Sequence, residues 1–221
     1  MIAVISGLIA GTVHVWAGPD HLAAIAPLAI RKARPAVTPG IRWGFGHSAG
    51  VALVGVLSLW LRDLLPVDLL STWGERLVGV MLLGIGAWAL RKALKVHAHE
   101  HEHSGSRHIH MHAHHDQTVH EEAAAHEHHS HAAFGIGVLH GLAGSSHFLG
   151  VLPVLALPTR SQALGYLGAF AVGTIISMAA FSWAMGLLAY RFSGGATRAY
   201  RSLMGCCAAA AMAVGLFWLV R

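Results

Sequence analysis

The chain contains the stretch Gly11-Thr-Val-His14-Val-Trp-Ala-Gly-Pro-Asp20-His21 inside its first apolar segment. A related stretch, Gly137-Val-Leu-His140-Gly-Leu-Ala-Gly-Ser-Ser-His147, follows at a constant offset of 126 residues. Each copy places two histidines seven residues apart, which is nearly two full turns of a helix with about 3.6 residues per turn. We therefore expect each pair on one helix face, and four imidazoles in two matched pairs predict a metal site.

The composition is typical of an integral membrane protein. Hydrophobic residues make up 55% of the 221 residues and charged residues only 11%, and long apolar runs recur along the chain. Six candidate spans cover residues 2–30, 41–61, 73–90, 132–157, 163–190 and 203–220. Most of them reach the ~20 residues that a helix needs to cross a bilayer. We expect an all-α protein with six transmembrane helices, the first of which lacks the features of a removable signal peptide.

The six spans are expected to form two inverted three-helix repeats. Similarity between the halves continues beyond the first histidines, because Gly46-His47 aligns with Gly173-Thr174. Each half holds an odd number of spans, so the halves run through the membrane in opposite directions, as in many secondary transporters. The predicted regions are a first repeat at 1–95, a His-rich loop at 96–131 and a second repeat at 132–221. A duplication that merely built a helix bundle is the alternative interpretation.

The distribution of basic residues predicts the orientation. Eleven of the 15 lysines and arginines fall on the face that carries the His-rich loop. By the positive-inside rule, the loop is cytoplasmic and both termini are outside, in the inner membrane of a bacterial cell. Tryptophans near the predicted span ends, Trp43 among them, are expected to be interfacial anchors. The net charge of +5 reflects this topology, so we infer no nucleic-acid partner.

The first apolar segment is expected to break beside its histidines. Pro19 removes the hydrogen bond to the carbonyl of Val15 and disfavours a helical Gly18. Asp20 follows directly, and a carboxylate at membrane depth costs on the order of 2.5–3.5 kcal/mol on insertion scales unless it is paired or hydrated. Its predicted role is a direct ligand, a hydrogen-bond partner that fixes an imidazole tautomer, or a proton acceptor. A carboxylate that only caps the broken helix is the structural alternative.

His47 is the fifth histidine within a predicted span. It either completes the coordination sphere of the ion or lines the route to it, and an ordinary hydrogen-bonded core histidine is an equal alternative. The complete set of candidate metal ligands is His14, Asp20, His21, His47, His140 and His147.

The segment between residues 97 and 131 has a different composition. Fourteen of the 19 histidines lie there, interspersed with acidic residues. Few of its residues could form a core, so we expect disorder in the absence of metal. Imidazoles with a pKa near ~6.5 are good ligands for zinc, copper, nickel and cobalt at neutral pH. The segment is predicted to buffer or deliver metal ions.

These motifs resemble those of the NicO group of nickel/cobalt transporters, which includes urease-accessory nickel permeases. The similarity rests on His14-x5-Asp20-His21, on Leu139-His140-Gly-Leu-Ala-Gly-Ser-Ser-His147 and on the His-rich loop between them. Related eight-span permeases carry a His-x4-Asp-His signature, so the spacing here is one residue longer. The resemblance implies that His14, Asp20 and His21 form the metal-selecting motif. The equivalent role of His140 and His147 rests on the repeat as much as on the family.

The resemblance implies transport of a divalent transition-metal ion, with Ni2+ first and Co2+ second, and the ligand chemistry would also accommodate Zn2+ in a tetrahedral geometry. Uptake is favoured, and efflux through the same site stays open. We expect no enzymatic activity and no resident cofactor. The expected partners are the metal ion, the lipid bilayer, and metallochaperones or assembly proteins for urease or hydrogenase. No ATP-binding loop of the Gly-x4-Gly-Lys-Ser/Thr type occurs, so an ion gradient, the membrane potential or a partner must supply the energy.

Two functions of other classes are the alternatives. A membrane-anchored metal chaperone would use the His-rich loop as its working part, and deletion of residues 97–131 would then abolish function. An intramembrane metalloenzyme would use three histidines and an open coordination position for hydrolysis. Such an enzyme would also need a general base, for which Asp20 is the candidate.

Overall fold

The computed structural model describes residues 1–30, 36–60, 67–103, 106–113, 122–143, 153–154, 157–193 and 197–220. Within these ranges the chain is predominantly helical. The helices are α1 (Ile2–Ala17), α2 (Pro19–Ala29), α3 (Thr38–Trp60), α4 (Val67–Lys95), α5 (Glu122–Ala143), α6 (Arg160–Ser193) and α7 (Thr197–Val220). Two antiparallel strands, β1 (Val96–His103) and β2 (Ser106–Ala113), form a hairpin between α4 and α5.

The chain is a multi-pass membrane protein. Three helical segments are long and apolar enough to cross a membrane, and they cover Trp73–Leu94, Arg160–Arg191 and Ala199–Val220. Together, α1 and α2 also meet this length and composition test, as a pair bent by 73°, and they add a fourth span if the pair crosses the membrane as one. The described residues therefore confirm an α-helical membrane protein with three or four spans. They go less far than the six predicted spans, since neither 41–61 nor 132–157 is among the supported ones; residue 61 and residues 144–152 and 155–156 lie outside the described ranges.

The predicted break in the first span is confirmed at Gly18. Helices α1 and α2 meet there at an angle of 73°, and Gly18 itself has an extended backbone. Its N–H donates to the carbonyl of His14 at 3.1 Å, and its carbonyl accepts from the N–H of His21 at 3.1 Å. Pro19 occupies the first turn of α2. Residues in the first turn of a helix make no N–H hydrogen bond within it, so the missing N–H of proline costs nothing there. The bend carries the start of α2 into the protein interior.

Parts of the His-rich segment have regular backbone structure, and its expected disorder in the absence of metal stays a prediction. In the hairpin, β1 and β2 pair in a register that places His97 opposite His112, His99 opposite His110 and His101 opposite His108. Histidines alternate with other residues in both strands, and a period of two is the pattern of a β-strand. Helix α5 begins at Glu122, where alanine and glutamate favour a helix. Residues 104–105 and 114–121 lie outside the described ranges, and the three predicted regional boundaries stay predictions.

The most extensive helix contacts run between the two halves of the chain. Helix α1 packs on α6, α3 packs on α5 and also on α6, and α4 packs on α7. Small residues let these helices approach closely. A Cβ on Gly11 would lie 2.1 Å from the carbonyl oxygen of Phe170, and a Cβ on Gly137 would lie 2.2 Å from that of Trp43.

These two close contacts join equivalent residues. Gly11 and Gly137 occupy the same place in the two histidine stretches, and Phe170 and Trp43 each precede the aligned Thr174 and His47 by four residues. The packing of α1 on α6 is therefore repeated, with the halves exchanged, in the packing of α3 on α5.

Candidate metal centre

Four helices bring five of the six predicted ligands together. His14 lies in the last turn of α1, where it is half-buried, and Asp20 and His21 lie in the first turn of α2. His47 comes from α3 and His140 from α5. Asp20 and the three histidines other than His14 are buried. His147, the sixth predicted ligand, lies outside the described residues.

The Nε2 atoms of three histidines converge on one place. His21 Nε2 lies 2.9 Å from His14 Nε2, and His14 Nε2 lies 3.3 Å from His47 Nε2. Two ring nitrogens at such distances need a proton or a cation between them, because two facing lone pairs repel. With metal–nitrogen bonds of 2.0–2.1 Å, the ligand atoms of a four-coordinate ion lie about 2.9 Å apart in a square plane and about 3.4 Å apart in a tetrahedron. The observed spacing is therefore compatible with a four-coordinate divalent ion.

The Asp20 carboxylate contacts two of the imidazoles. Its Oδ1 accepts a hydrogen bond from His21 Nδ1 at 2.9 Å, and its Oδ2 accepts one from His140 Nε2 at 3.1 Å. A neutral His21 that keeps its proton on Nδ1 has its lone pair on Nε2, which faces His14. A carboxylate in this position fixes both the tautomer and the orientation of a metal-binding ring. This geometry corresponds to the second of the three roles predicted for Asp20.

Position 18 requires glycine, because a side chain there would collide with His21 and Asp20. A Cβ at position 18 would lie 2.3 Å from His21 Nδ1 and 2.9 Å from Asp20 Oδ1. The backbone angles of Gly18 are accessible to any residue (φ −93°, ψ 97°), so the restriction is the space that the His21 ring and the carboxylate occupy.

The two histidines of the first stretch meet for a reason different from the predicted one. The expectation that His14 and His21 share one helix face assumes a continuous helix between them. The structure breaks that helix at Gly18, and the 73° bend turns the start of α2 back toward the end of α1. The two rings then meet edge to face, with their centroids 4.5 Å apart.

Trp43 forms an aromatic wall of the cluster. Its indole stacks on His47, with centroids 4.7 Å apart and planes 8° apart. It also contacts His21 edge-on at 5.4 Å and His140 at 5.3 Å between centroids. The expectation that Trp43 is an interfacial anchor is wrong, because the residue is fully buried. Its position four residues before His47, on the same face of α3, was the signal for this contact.

The donor atoms fall into two groups of three. One group contains His14, His21 and His47, and the other contains Asp20, His21 and His140. Within each group the ligand atoms lie within 4.8 Å of one another. The sequence predicted two symmetric histidine pairs, whereas the structure combines His14 and His21 with His47 and joins His140 to Asp20.

Comparison with known proteins gives relatives by sequence alone, since no family model and no solved structure matches the chain. It is 35% identical over 178 residues to two proteins of Arabidopsis thaliana, chloroplast protein FOR GROWTH AND FERTILITY 2 and chloroplast protein FOR GROWTH AND FERTILITY 1. The match covers 80% of this chain but only 45% and 47% of those proteins, so the chain spans about half the length of these plant relatives.

A third relative is bacterial. The chain is 26% identical over 197 residues to urease accessory protein UreH of Bacillus sp. (strain TB-90), and the match covers 82% of this chain and 75% of that protein. The chain is therefore a homologue of urease accessory protein UreH and of the two chloroplast proteins, which confirms the resemblance predicted from its histidine motifs.

Proposed function

We propose that the chain transports a divalent transition-metal ion across a membrane through the buried His/Asp cluster. The observation that best supports this function is the convergence of His14, His21 and His47 at the break of a membrane span. A buried group of imidazoles beside a carboxylate is unfavourable in an apolar environment unless it binds something. The stability of the folded protein alone gives no reason to place such a group between membrane helices.

Ni2+ is the proposed cargo. Imidazole nitrogen is a good ligand for nickel, copper, zinc and cobalt, and four-coordinate nitrogen-rich sites suit Ni2+ in a square plane and Zn2+ or Co2+ in a tetrahedron. One relative is named a urease accessory protein, and the motifs resemble those of nickel permeases. Both facts favour nickel, with Co2+ and Zn2+ as alternatives. Homology to UreH also favours a transporter over an enzyme.

The packing of the helices supports an alternating-access mechanism. We propose six spans in two inverted repeats, in agreement with the exchanged close contacts of Gly11 and Gly137. Binding sites between such repeats form where a helix is broken, and the repeats rock or gate around them. In this mechanism the ion exchanges its water for imidazoles between the halves, and Asp20 compensates part of its charge. Movement of the halves then releases the ion on the other side.

The direction and the membrane belong to the same proposal. We propose uptake across a bacterial inner membrane, with both termini outside and the His-rich segment in the cytoplasm, where it accepts the incoming ion. Two of the relatives are named chloroplast proteins. Efflux through the same cluster is the alternative direction.

Transport by purified protein in liposomes tests this function. Proteoliposomes loaded with a metal-sensitive dye are expected to take up Ni2+, and His21→Ala is expected to lower the initial rate at least tenfold. Ile176→Ala is the matched control, because Ile176 is exposed on α6 and belongs to no part of the cluster; its rate should stay within twofold of the original. Liposomes that move no metal ion, or an unaffected His21→Ala variant, would contradict the proposal.

Deletion of residues 97–131 separates transport from the chaperone alternative. A transporter whose site lies among the helices should still move Ni2+ without the segment, with a changed apparent affinity at most. Complete loss of function after the deletion, with the protein still folded, would favour the chaperone.

A further inference from the structure

The donor atoms of the cluster do not surround one point. Two nitrogens bound to the same ion at 2.0–2.1 Å are at most about 4.2 Å apart. Five donors around a single ion would therefore form one close group, yet those of the cluster separate into two groups of three. His14 and His47 belong to one group, His140 belongs to the other, and His21 belongs to both.

The shared histidine offers a different nitrogen to each group. Its Nε2 faces His14 Nε2 at 2.9 Å, and its Nδ1 faces Asp20 Oδ1 at 2.9 Å. A neutral imidazole has one nitrogen lone pair and one N–H. His21 can therefore bind an ion on one side at a time, so the two groups are alternative positions for one ion.

The two groups differ in exposure and in the helices that build them. The first group is drawn from α1, α2 and α3, all in the first half of the chain, and contains the half-buried His14. The second group joins α2 to α5, so it bridges the two halves. Its three members are all buried.

The groups also differ in charge. Three neutral imidazoles select a transition metal by ligand type but leave its two positive charges uncompensated. The second group contains the buried Asp20 carboxylate, which offsets one of these charges. An ion gains charge compensation by moving from the first group to the second. This gain offsets the greater cost of removing water from an ion in the fully buried group, so the two groups can hold it with similar affinity.

We propose that the metal ion occupies two successive positions that share His21. The first position is formed by His14, His21 and His47, and the second by Asp20, His21 and His140. This inference rests on the proposed transport function and specifies the path of the ion within the site. The first position selects the ion, and the second holds it between the two halves.

Metal binding to full-length protein tests the two positions. The background is a full-length variant with every histidine between 97 and 131 replaced by glutamine, so that the His-rich segment binds no ion. Equilibrium dialysis with Ni2+ is expected to give one ion per chain. X-ray absorption at the nickel edge then counts the histidine ligands.

His140→Ala separates the positions most directly. Its Kd for Ni2+ should stay within threefold of the background, with three histidine ligands, because the first position is intact. Its transport rate should fall at least tenfold, because the ion cannot move on. The double variant His14→Ala/His47→Ala should still bind one ion, with two histidine ligands, at the second position.

His140→Gln guards against a folding defect. The glutamine amide can still donate a hydrogen bond to Asp20 but offers no imidazole to the ion. It should reproduce the result of His140→Ala.

Loss of Ni2+ binding in His140→Ala and His140→Gln that equals the loss in His47→Ala would mean a single site and would overturn the inference. So would a normal transport rate in either His140 variant. The outcome for the proposed function is separate, because it depends on whether the unaltered protein moves Ni2+ at all. The binding pattern of the variants decides the two positions whether or not transport is observed.

Discussion

The indole of Trp43 lies parallel to the imidazole of His47, with 4.7 Å between centroids and 8° between planes. This stacking fixes the ring plane of His47 and therefore the direction of its nitrogens. Since His47 Nε2 lies 3.3 Å from His14 Nε2, a change at Trp43 reaches the metal cluster without removing any ligand.

Replacement of Trp43 should weaken metal binding according to the shape of the new side chain. Trp43→Leu removes the flat surface and is expected to raise the Kd for Ni2+ about tenfold, whereas Trp43→Phe keeps a stacked ring and should stay within threefold. Equilibrium dialysis measures both values. Trp183→Leu is the control, because Trp183 is exposed on α6. Equal Kd values for the Leu and Phe variants would show that stacking does not position His47.

Asp20→Asn should lower the affinity for the metal ion by about 10–100-fold, the range seen when the hydrogen-bond partner of a metal-binding histidine is removed. The amide keeps the size of the side chain, but it has no charge and cannot accept hydrogen bonds from both His21 and His140. The measurement is again the Kd for Ni2+, with circular dichroism to show that the helices persist. An unchanged Kd would mean that Asp20 neither orients His21 nor compensates the ion.

Gly18→Ala should disrupt the cluster although it adds a single methyl group. That methyl would fall 2.3 Å from His21 Nδ1, so the ring must move and its hydrogen bond to Asp20 must lengthen or break. We expect at least a tenfold slower Ni2+ uptake. Gly168→Ala is the matched control, because a Cβ there meets nothing within 4 Å and alanine favours the helix by roughly 0.5–1 kcal/mol. A normal uptake rate for Gly18→Ala would argue against a fixed position of the His21 ring.

Gly11→Ala and Gly137→Ala should destabilise the protein by similar amounts. Each methyl would collide with a backbone carbonyl of the facing helix, at 2.1 Å and 2.2 Å respectively, and overpacking of this kind costs typically about 1–3 kcal/mol. Thermal unfolding in detergent measures the effect, and Gly205→Ala, which has open space around it, is the control. A large effect at only one of the two positions would show that the repeated contact is not equivalent in the two halves.

Much of the candidate site could be predicted from residue types and spacing. Five of the six candidate ligands meet in one cluster, because a histidine or a carboxylate within an apolar span has few structural reasons to be there. The break at Gly18-Pro19 also followed from backbone chemistry alone. Which of these residues contact one another could not be predicted, because the contacts depend on the 73° bend and on which helices of the two halves pack together.

The error at Trp43 has a physical cause of the same kind. Trp43 lies near a predicted span end. The sequence there cannot distinguish a tryptophan that anchors the helix at the membrane surface from one that is buried in the protein, and only the contacts of α3 with α5 do so. The His-rich segment is expected from its composition to be disordered without metal, which stays a prediction, and the alternation of its histidines has the period of the two strands found there. Composition describes the average of a segment, whereas pairing depends on the order of its residues.

The exchanged packing of α1 on α6 and of α3 on α5 has a consequence for how the protein assembles. The first helix of each half finds its principal neighbour in the other half, so neither half can reach this arrangement by itself. Each half supplies helices that the other half packs against, so the interior of the protein is complete only when the second half has been inserted. If the chain were cut between residues 114 and 121, the two fragments would have to be synthesised together, and each would depend on the other for survival in the membrane.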